Sequence, residues 1–113
     1  MQTRKLGWTD LELTAIGFGT WALGGAGWKF AWGPQDDNES IAAIRRGLAL
    51  GINWIDAAAV YGLGHAEEVV GRAIAGIKPR PIIATKCGRR GEPSGDIHGD
   101  LTANSVRCTR SIQ

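Results

Sequence analysis

The sequence predicts an α/β fold built on a parallel sheet. Segments of strand character alternate with segments of helical character along the 113 residues, in the order hairpin, strand, helix, strand, helix, strand and the start of a helix. Alternation of this kind is typical of βα units. The segment of residues 52–56 is short and almost wholly apolar, as expected of a parallel strand that is buried on both faces.

The composition indicates a globular protein. Apolar residues make up 43% of the chain and charged residues 21%, with a formal net charge of +2, which favours neither nucleic acid nor a membrane as partner. No apolar run approaches the roughly 20 residues of a membrane span. The first residues lack the apolar core of a signal peptide, so we expect a cytoplasmic protein. Cys87 and Cys108 have no CxxC or clustered-histidine pattern, which predicts reduced thiols and no metal site.

The first elements are a hairpin and a strand that leads into a glycine-rich loop. Residues 3–16 alternate weakly around a Gly-Trp-Thr-Asp turn, which predicts a short hairpin. Residues 13–19 are interpreted as a buried strand. The loop that follows carries Trp21, Trp28 and Trp32 among its glycines. Tryptophans are unusual in a solvated loop. These three could simply belong to the core, but we expect them to line a pocket for a flat ligand.

A helix follows the loop. Asp36 or Asp37 can cap its N-terminus, and Glu39 completes a capping-box arrangement with Asp36. The helix is expected to run to about Leu50, because Gly51 suits its C-terminal end.

The second half of the chain repeats this pattern. Strands are expected at residues 52–56 and 81–86, with a helix over residues 65–75 between them. Residues 87–100 are polar and rich in glycine, which predicts a loop. Thr102 can cap a third helix.

Three residues with proton-transfer chemistry fall where this fold places active sites. Chemistry in parallel α/β folds sits at the C-terminal ends of the strands, and Asp56 and Lys86 end consecutive predicted strands. If these strands pair, they lie about 4.8 Å apart, so the carboxylate and the ammonium can meet. Tyr61 follows Asp56 closely, and its loop can fold back over the same edge.

The three side chains together predict a phenol tuned for proton transfer. A free phenol has a pKa of about 10 and is a poor acid at neutral pH. A nearby ammonium favours the phenolate and lowers that pKa, and a carboxylate keeps the ammonium charged and oriented. Such a group suits carbonyl reduction, in which hydride reaches carbon and a proton reaches oxygen.

Each residue taken alone has a simpler interpretation. Asp56 could cap its loop, Lys86 could be a solvated strand end, and Tyr61 could pack with its hydroxyl at the surface. Surface roles also fit His65 and His98, since neither has a partner at metal-ligand spacing. The occurrence of all three residues in this order favours the catalytic interpretation.

A dinucleotide-binding fingerprint is a competing interpretation of the first loop. Residues 17–22 match the pattern G-x-G-x-x-A after a predicted strand. That motif requires a helix to begin there, because the pyrophosphate binds at the helix N-terminus. Glycines at positions 24, 25 and 27 break any such helix, which argues against a Rossmann fold.

Several spaced motifs together resemble the aldo/keto reductases. The main motif reads Gly51-x4-Asp56-Ala-Ala-x2-Tyr61-Gly-x-Gly-x2-Glu67-x3-Gly71. Residues 13–25 are similar to that family's first strand and loop, and residues 83–86 are similar to its lysine strand. The similarity runs over about residues 4–107 and is closer to bacterial members than to mammalian steroid reductases.

The resemblance implies a (β/α)8 TIM barrel with a hairpin at its bottom, of which about three βα units are present. It implies an NADP(H)-dependent oxidoreductase that reduces aldehyde or ketone carbonyls. Tyr61 would donate the proton, Lys86 would activate it, and Asp56 would orient Lys86. The residues expected beside the nicotinamide and the substrate are Gly19, Thr20 and Trp21.

The chain also departs from the family pattern. Ala57 stands where relatives often carry threonine, and residues 106–113 do not continue as the family's helix does, so a frameshift or early stop near Arg107 is one hypothesis. Residues 1–113 would form only the N-terminal portion of the barrel, and the family's catalytic histidine would lie beyond Gln113.

Two functions therefore stay open. The chain is either the front of a carbonyl reductase, or an inactive fragment or regulatory module on the same scaffold. We expect it to be inactive alone, and we expect open sheet edges to favour self-association.

Overall fold

The computed structural model describes residues 1–110, so the end of the divergent segment at residues 106–113 lies outside the described residues. The elements are β1 Thr3–Lys5, β2 Glu12–Thr14, β3 Phe18–Gly19, α1 Asp37–Ala49, β4 Trp54–Asp56, α2 His65–Ile74, β5 Ile82–Ala84, β6 Arg89–Gly91, β7 Ile97–Gly99 and α3 Ala103–Arg110. The central sheet is parallel, in the order β3-β4-β5. The predicted α/β fold is thereby confirmed.

The sheet register brings the C-terminal ends of its strands together. Gly19 pairs with Asp56, and Asp56 pairs with Ala84, so all three strands end at one edge. The strands are shorter than predicted, and Lys86 lies just beyond β5. Helices α1 and α2 pack beside the sheet, where Ile44 and Val69 are fully buried with Ile55 of β4.

The predicted N-terminal hairpin is present and lies at the opposite end of the sheet from this edge. Strands β1 and β2 pair antiparallel, with Thr3 opposite Thr14. Asn53, just before β4, accepts a hydrogen bond from the Thr14 N–H at 2.9 Å and donates one to the Glu12 carbonyl at 2.8 Å. The Trp54 indole N–H donates to the Thr14 carbonyl at 2.9 Å. The Asn53-Trp54 pair thus fastens the hairpin to the bottom of the sheet.

The prediction of one continuous strand over residues 13–19 is wrong. Thr14 belongs to the hairpin, and its hydroxyl donates to the Ile16 carbonyl at 2.7 Å, which bends the chain. The Trp54 indole occupies the space where a side chain at Gly17 would lie. Only Phe18–Gly19 joins the sheet as a result.

The first helix, α1, agrees closely with the prediction from the sequence. Asp36 is its N-cap, and its carboxylate accepts a hydrogen bond from the Glu39 N–H at 2.9 Å. Gly51 follows the helix with a φ of 96°, a conformation that glycine adopts readily. Arg45 reaches across to α2 and donates to the Ala73 carbonyl at 3.0 Å, which joins the two helices.

The predicted loop at residues 87–100 contains a second hairpin, so that prediction is wrong in part. Strands β6 and β7 pair antiparallel, and the Gly95 carbonyl near their turn accepts a hydrogen bond from the Lys29 N–H at 2.9 Å. The hairpin therefore lies against the tryptophan-bearing loop. Thr102 caps α3 as predicted, since its hydroxyl accepts from the Ser105 N–H at 3.3 Å.

The first loop does not begin a dinucleotide-binding helix. After Gly19 the chain forms a single tight turn at Trp21–Gly24, and Gly25 leaves it with a φ of 66°. A Rossmann fold is excluded on this ground, because the helix that its fingerprint requires is missing. Within residues 1–110, no helix combines the length and apolar character needed to traverse a lipid bilayer.

Candidate active site

Lys86 and Asp56 meet at the C-terminal edge of the sheet. The Lys86 ammonium donates to both carboxylate oxygens of Asp56, at 2.8 and 2.9 Å, and to the Ala57 carbonyl at 2.7 Å. Asp56 ends β4, and the Ala57 N–H donates to the Ala84 carbonyl at 2.8 Å, which extends the strand pairing toward Lys86. The ammonium is therefore held in one place by three oxygen acceptors.

Tyr61 completes the constellation that the sequence predicts. Its side chain is 8% exposed, and the Lys86 ammonium lies 5.1 Å from the centre of its ring. Tyr61 is the first residue of a tight turn, Tyr61–Gly64, in which Gly62 and Leu63 adopt left-handed backbone angles. This turn packs against Trp21–Gly24 so closely that a side chain at Gly62 would overlap the backbone of Gly24.

The environment of Lys86 favours its charged form. Partial burial of the ammonium acts to lower the pKa of Lys86, but hydrogen bonding to Asp56 and Tyr61 and the charges on these groups outweigh it and raise the pKa. Lys86 is thus a fixed cation beside a phenol at neutral pH. The structure thus brings Asp56, Tyr61 and Lys86 together at one edge of the sheet.

An aromatic cavity of about 440 Å³ opens above these residues. The rings of Trp21, Trp28, Phe30 and Tyr61 form a cluster with centroid separations of 5.2–6.2 Å. The residues that line the cavity are mostly apolar: Trp21, Trp28, Phe30, Ala58, Val60, Tyr61, Lys86, Cys87, Arg89 and Ile97. A cavity with aromatic walls and a few polar groups suits a small flat ligand.

The expectation that three tryptophans line this cavity is correct for two of them. Trp21 and Trp28 do so, but Trp32 is 79% exposed and is not among the lining residues. Phe30 takes the third place, and its carbonyl accepts a hydrogen bond from the Trp21 indole N–H at 2.9 Å. Phe30 lies in the same glycine-rich loop, so its aromatic ring was the signal that the sequence offered.

The three residues expected beside a coenzyme occupy different positions. Trp21 lines the cavity and is 38% exposed. Gly19 lies at the end of β3, where a side chain would meet no atom within 4 Å, so the space above it is open. Thr20 is fully buried, and its hydroxyl and N–H both donate to the Asp56 carbonyl, at 2.9 and 3.0 Å. Thr20 therefore holds the backbone of Asp56 in place at the end of β4.

Both histidines bind carboxylates away from the cavity. His65 lies 2.8 Å from Asp37, and His98 lies 3.5 Å from Glu92. Among residues 1–110, no three His, Cys, Asp or Glu side chains come together as ligands for a metal ion. Cys87 and Arg89 also line the cavity, although their segment has the composition of a polar loop and carries no motif that indicates a site.

Comparison with known proteins gives a consistent result. A profile described as the aldo/keto reductase family matches residues 15–112. Aldo-keto reductase YhdN of Bacillus subtilis is 43% identical over 88 residues, which cover 76% of this chain and 25% of that protein. The NADH-specific methylglyoxal reductase of Escherichia coli is 37% identical over 99 residues, covering 86% of this chain and 29% of that protein. The chain thus spans between a quarter and a third of the length of these relatives.

Solved structures agree with the fold. The holo form of the aldo-keto reductase AKR11C1 from Bacillus halodurans superposes with a TM-score of 0.83 at 29% identity, over 98% of this chain and 34% of that one. The glycerol dehydrogenase AKR11B4 from Gluconobacter oxydans gives a TM-score of 0.79 at 37% identity, over 96% and 33%. The fold described above is accordingly part of a (β/α)8 barrel, and this chain belongs to the aldo/keto reductase family.

Proposed function

We propose that this chain is the N-terminal part of an NADP(H)-dependent reductase that converts aldehyde or ketone carbonyls to alcohols. The observation that carries the proposal is the Lys86 ammonium, held 2.8 Å from Asp56 and against the ring of Tyr61 at the wall of an aromatic cavity. General acid catalysis requires a proton donor positioned at the reacting group, and a cation beside that donor stabilises the charge left after transfer.

The residues around the cavity fit a nicotinamide coenzyme. Gly19 and Trp21 would hold its flat ring, because Gly19 leaves open space and Trp21 offers an aromatic face. When bound, the reduced coenzyme supplies hydride to the carbonyl carbon. We propose NADP(H) on the family resemblance, and the NADH-specific relative makes the comparison of NADPH with NADH a necessary measurement.

The chain's own residues would handle the proton. The Tyr61 hydroxyl would donate it to the carbonyl oxygen, and the Lys86 ammonium would stabilise the phenolate that remains. Asp56 keeps Lys86 charged and in place through its two hydrogen bonds. The aromatic walls formed by Trp21 and Trp28 would limit the access of water as a competing proton donor.

A chimera tests this proposal. Active sites of TIM barrels draw on the ends of several strands, and this chain supplies only part of that set. We therefore expect no NADPH oxidation by the 113-residue chain alone with a simple aldehyde such as 4-nitrobenzaldehyde. A chimera in which it replaces the matching third of the Bacillus halodurans enzyme should turn over, with its rates measured in parallel for NADPH and NADH. A folded chimera without turnover would instead support a non-catalytic module on the same scaffold.

Self-association is a further expected property of the isolated chain. Strands β3 and β5 are the outer strands of its sheet and leave backbone groups available for pairing. We expect light scattering after gel filtration to give masses above the monomer's 12.0 kDa. A monomer with a sharp cooperative thermal transition would contradict this expectation.

A cytoplasmic location also belongs to the proposal, because the exposed free thiol of Cys87 suits a reducing compartment.

A further inference from the structure

The hairpin of β6 and β7 carries two adjacent arginines with different surroundings. Side chains alternate between the two faces of a strand, and here Arg89 lines the cavity while Arg90 does not. Arg90 instead lies 3.5 Å from the Asp100 carboxylate. The cavity-facing position is therefore the one occupied by Arg89, three residues after Lys86.

The acidic groups of this hairpin are engaged with other partners. Asp100 pairs with Arg90, Asp96 lies 4.0 Å from the Lys29 ammonium, and Glu92 lies 3.5 Å from His98. Within the part of the chain that the structure describes, no carboxylate forms an ion pair with Arg89. Its positive charge is thus not neutralised by the hairpin that carries it.

The cavity itself has an excess of positive charge. Its described lining includes Lys86 and Arg89 but no carboxylate. Asp56 neutralises Lys86 from behind through two hydrogen bonds, so Arg89 is the source of net charge at the cavity wall. The guanidinium presents a planar fork of donors that matches a carboxylate.

From this arrangement we propose that the cavity selects carbonyl compounds that also bear a carboxylate. This inference rests on the proposed function for the position of the carbonyl, which would lie at Tyr61 and Lys86. The carboxylate would bind Arg89 at the hairpin wall, and the aromatic cluster would contact the apolar body between the two groups. Arg89 would then determine specificity without taking part in proton transfer.

A matched pair of ligands tests the inference on the 113-residue chain itself. 4-Formylbenzoate and its methyl ester share one aldehyde and one ring and differ in the negative charge. Quenching of tryptophan fluorescence reports their dissociation constants, because Trp21 and Trp28 line the cavity. We expect the carboxylate to bind about ten-fold more tightly, as a hydrogen bond to a charged group would give.

Two variants on one strand separate specific binding from general attraction. Arg89→Gln should abolish the preference, and Arg90→Gln, which removes the same charge from the other face, should retain it. Equal affinities for both ligands in the wild type would overturn the inference. Equal loss of the preference for the carboxylate in both variants would also overturn it. Loss of NADPH affinity in Arg89→Gln with the ligand preference unchanged would also overturn it, since Arg89 would then serve the coenzyme.

The preference for 4-formylbenzoate over its methyl ester can also be measured in the chimera, as the ratio of their kcat/KM values. This second measurement does not depend on the stability of the isolated chain. Reduction of the ester without preference for the carboxylate would overturn the inference and leave the proposed function intact. Preferential binding of the carboxylate by the chain, with no turnover in a folded chimera, would support the inference about Arg89 and overturn the proposed function.

Discussion

Replacement of Tyr61 by phenylalanine is expected to lower kcat/KM for carbonyl reduction by about a hundred-fold to ten-thousand-fold, the range for loss of a general acid. The change removes the hydroxyl and keeps the ring that packs against Trp21 and Trp28, at centroid distances of 5.2 and 6.0 Å. The cavity should therefore keep its shape, so coenzyme and substrate affinity should change little. The measurement is steady-state kinetics of the chimera with NADPH and 4-nitrobenzaldehyde.

An aromatic substitution in the first loop provides the control for this experiment. Trp32→Phe alters a ring that is 79% exposed and lies outside the cavity lining, so its kinetics should match those of the unmodified chimera. If Tyr61→Phe retained more than a tenth of the activity with an unchanged circular dichroism spectrum, Tyr61 would not be the proton donor.

Substitution of Gly62 by alanine is expected to cause the largest loss of stability of any single methyl addition near the site. Gly62 has a φ of 60°, and its Cβ would overlap the backbone of Gly24. Left-handed backbone costs an L-residue about 1–2 kcal/mol, and overpacking adds about 1–3 kcal/mol. The free energy of unfolding should therefore fall by about 2–5 kcal/mol, as measured by urea denaturation of the chimera.

Gly76→Ala separates the two contributions. Gly76 also has a positive φ, of 78°, but a Cβ there would meet no atom within 4 Å. Its substitution should show only the backbone cost of about 1–2 kcal/mol. Equal losses in the two variants would mean that the close approach of Gly62 and Gly24 adds nothing to the stability of the turn that carries Tyr61.

The helices and the central strands could be predicted from the sequence because local chemistry determines them. Asp36 caps α1, Gly51 ends it, and the short apolar run around Ile55 is typical of a buried parallel strand. The meeting of Asp56 and Lys86 followed from one general property of parallel sheets, which is that their C-terminal ends share an edge.

The features that the sequence analysis missed depend on contacts between distant residues. The turn after β2 is shaped by Trp54, some 40 residues away, and no local pattern reports that contact. The hairpin of β6 and β7 is made of short polar strands that lack apolar alternation, so it resembled a loop. Arg89 lies on that hairpin, which contacts the first loop, and Cys87 directly follows Lys86, so both line the cavity although neither stands in a recognisable motif.

Transfer of a labelled hydride tests the central claim most directly. The chimera would be supplied with NADPH deuterated at both C4 positions and with 4-nitrobenzaldehyde, and the alcohol would be analysed by mass spectrometry. If Asp56, Tyr61 and Lys86 form a working reduction site, the alcohol should carry one deuterium at its carbinol carbon, and Tyr61→Phe should suppress its formation. Absence of labelled alcohol from a folded chimera, or equal amounts with and without the Tyr61 hydroxyl, would contradict the account.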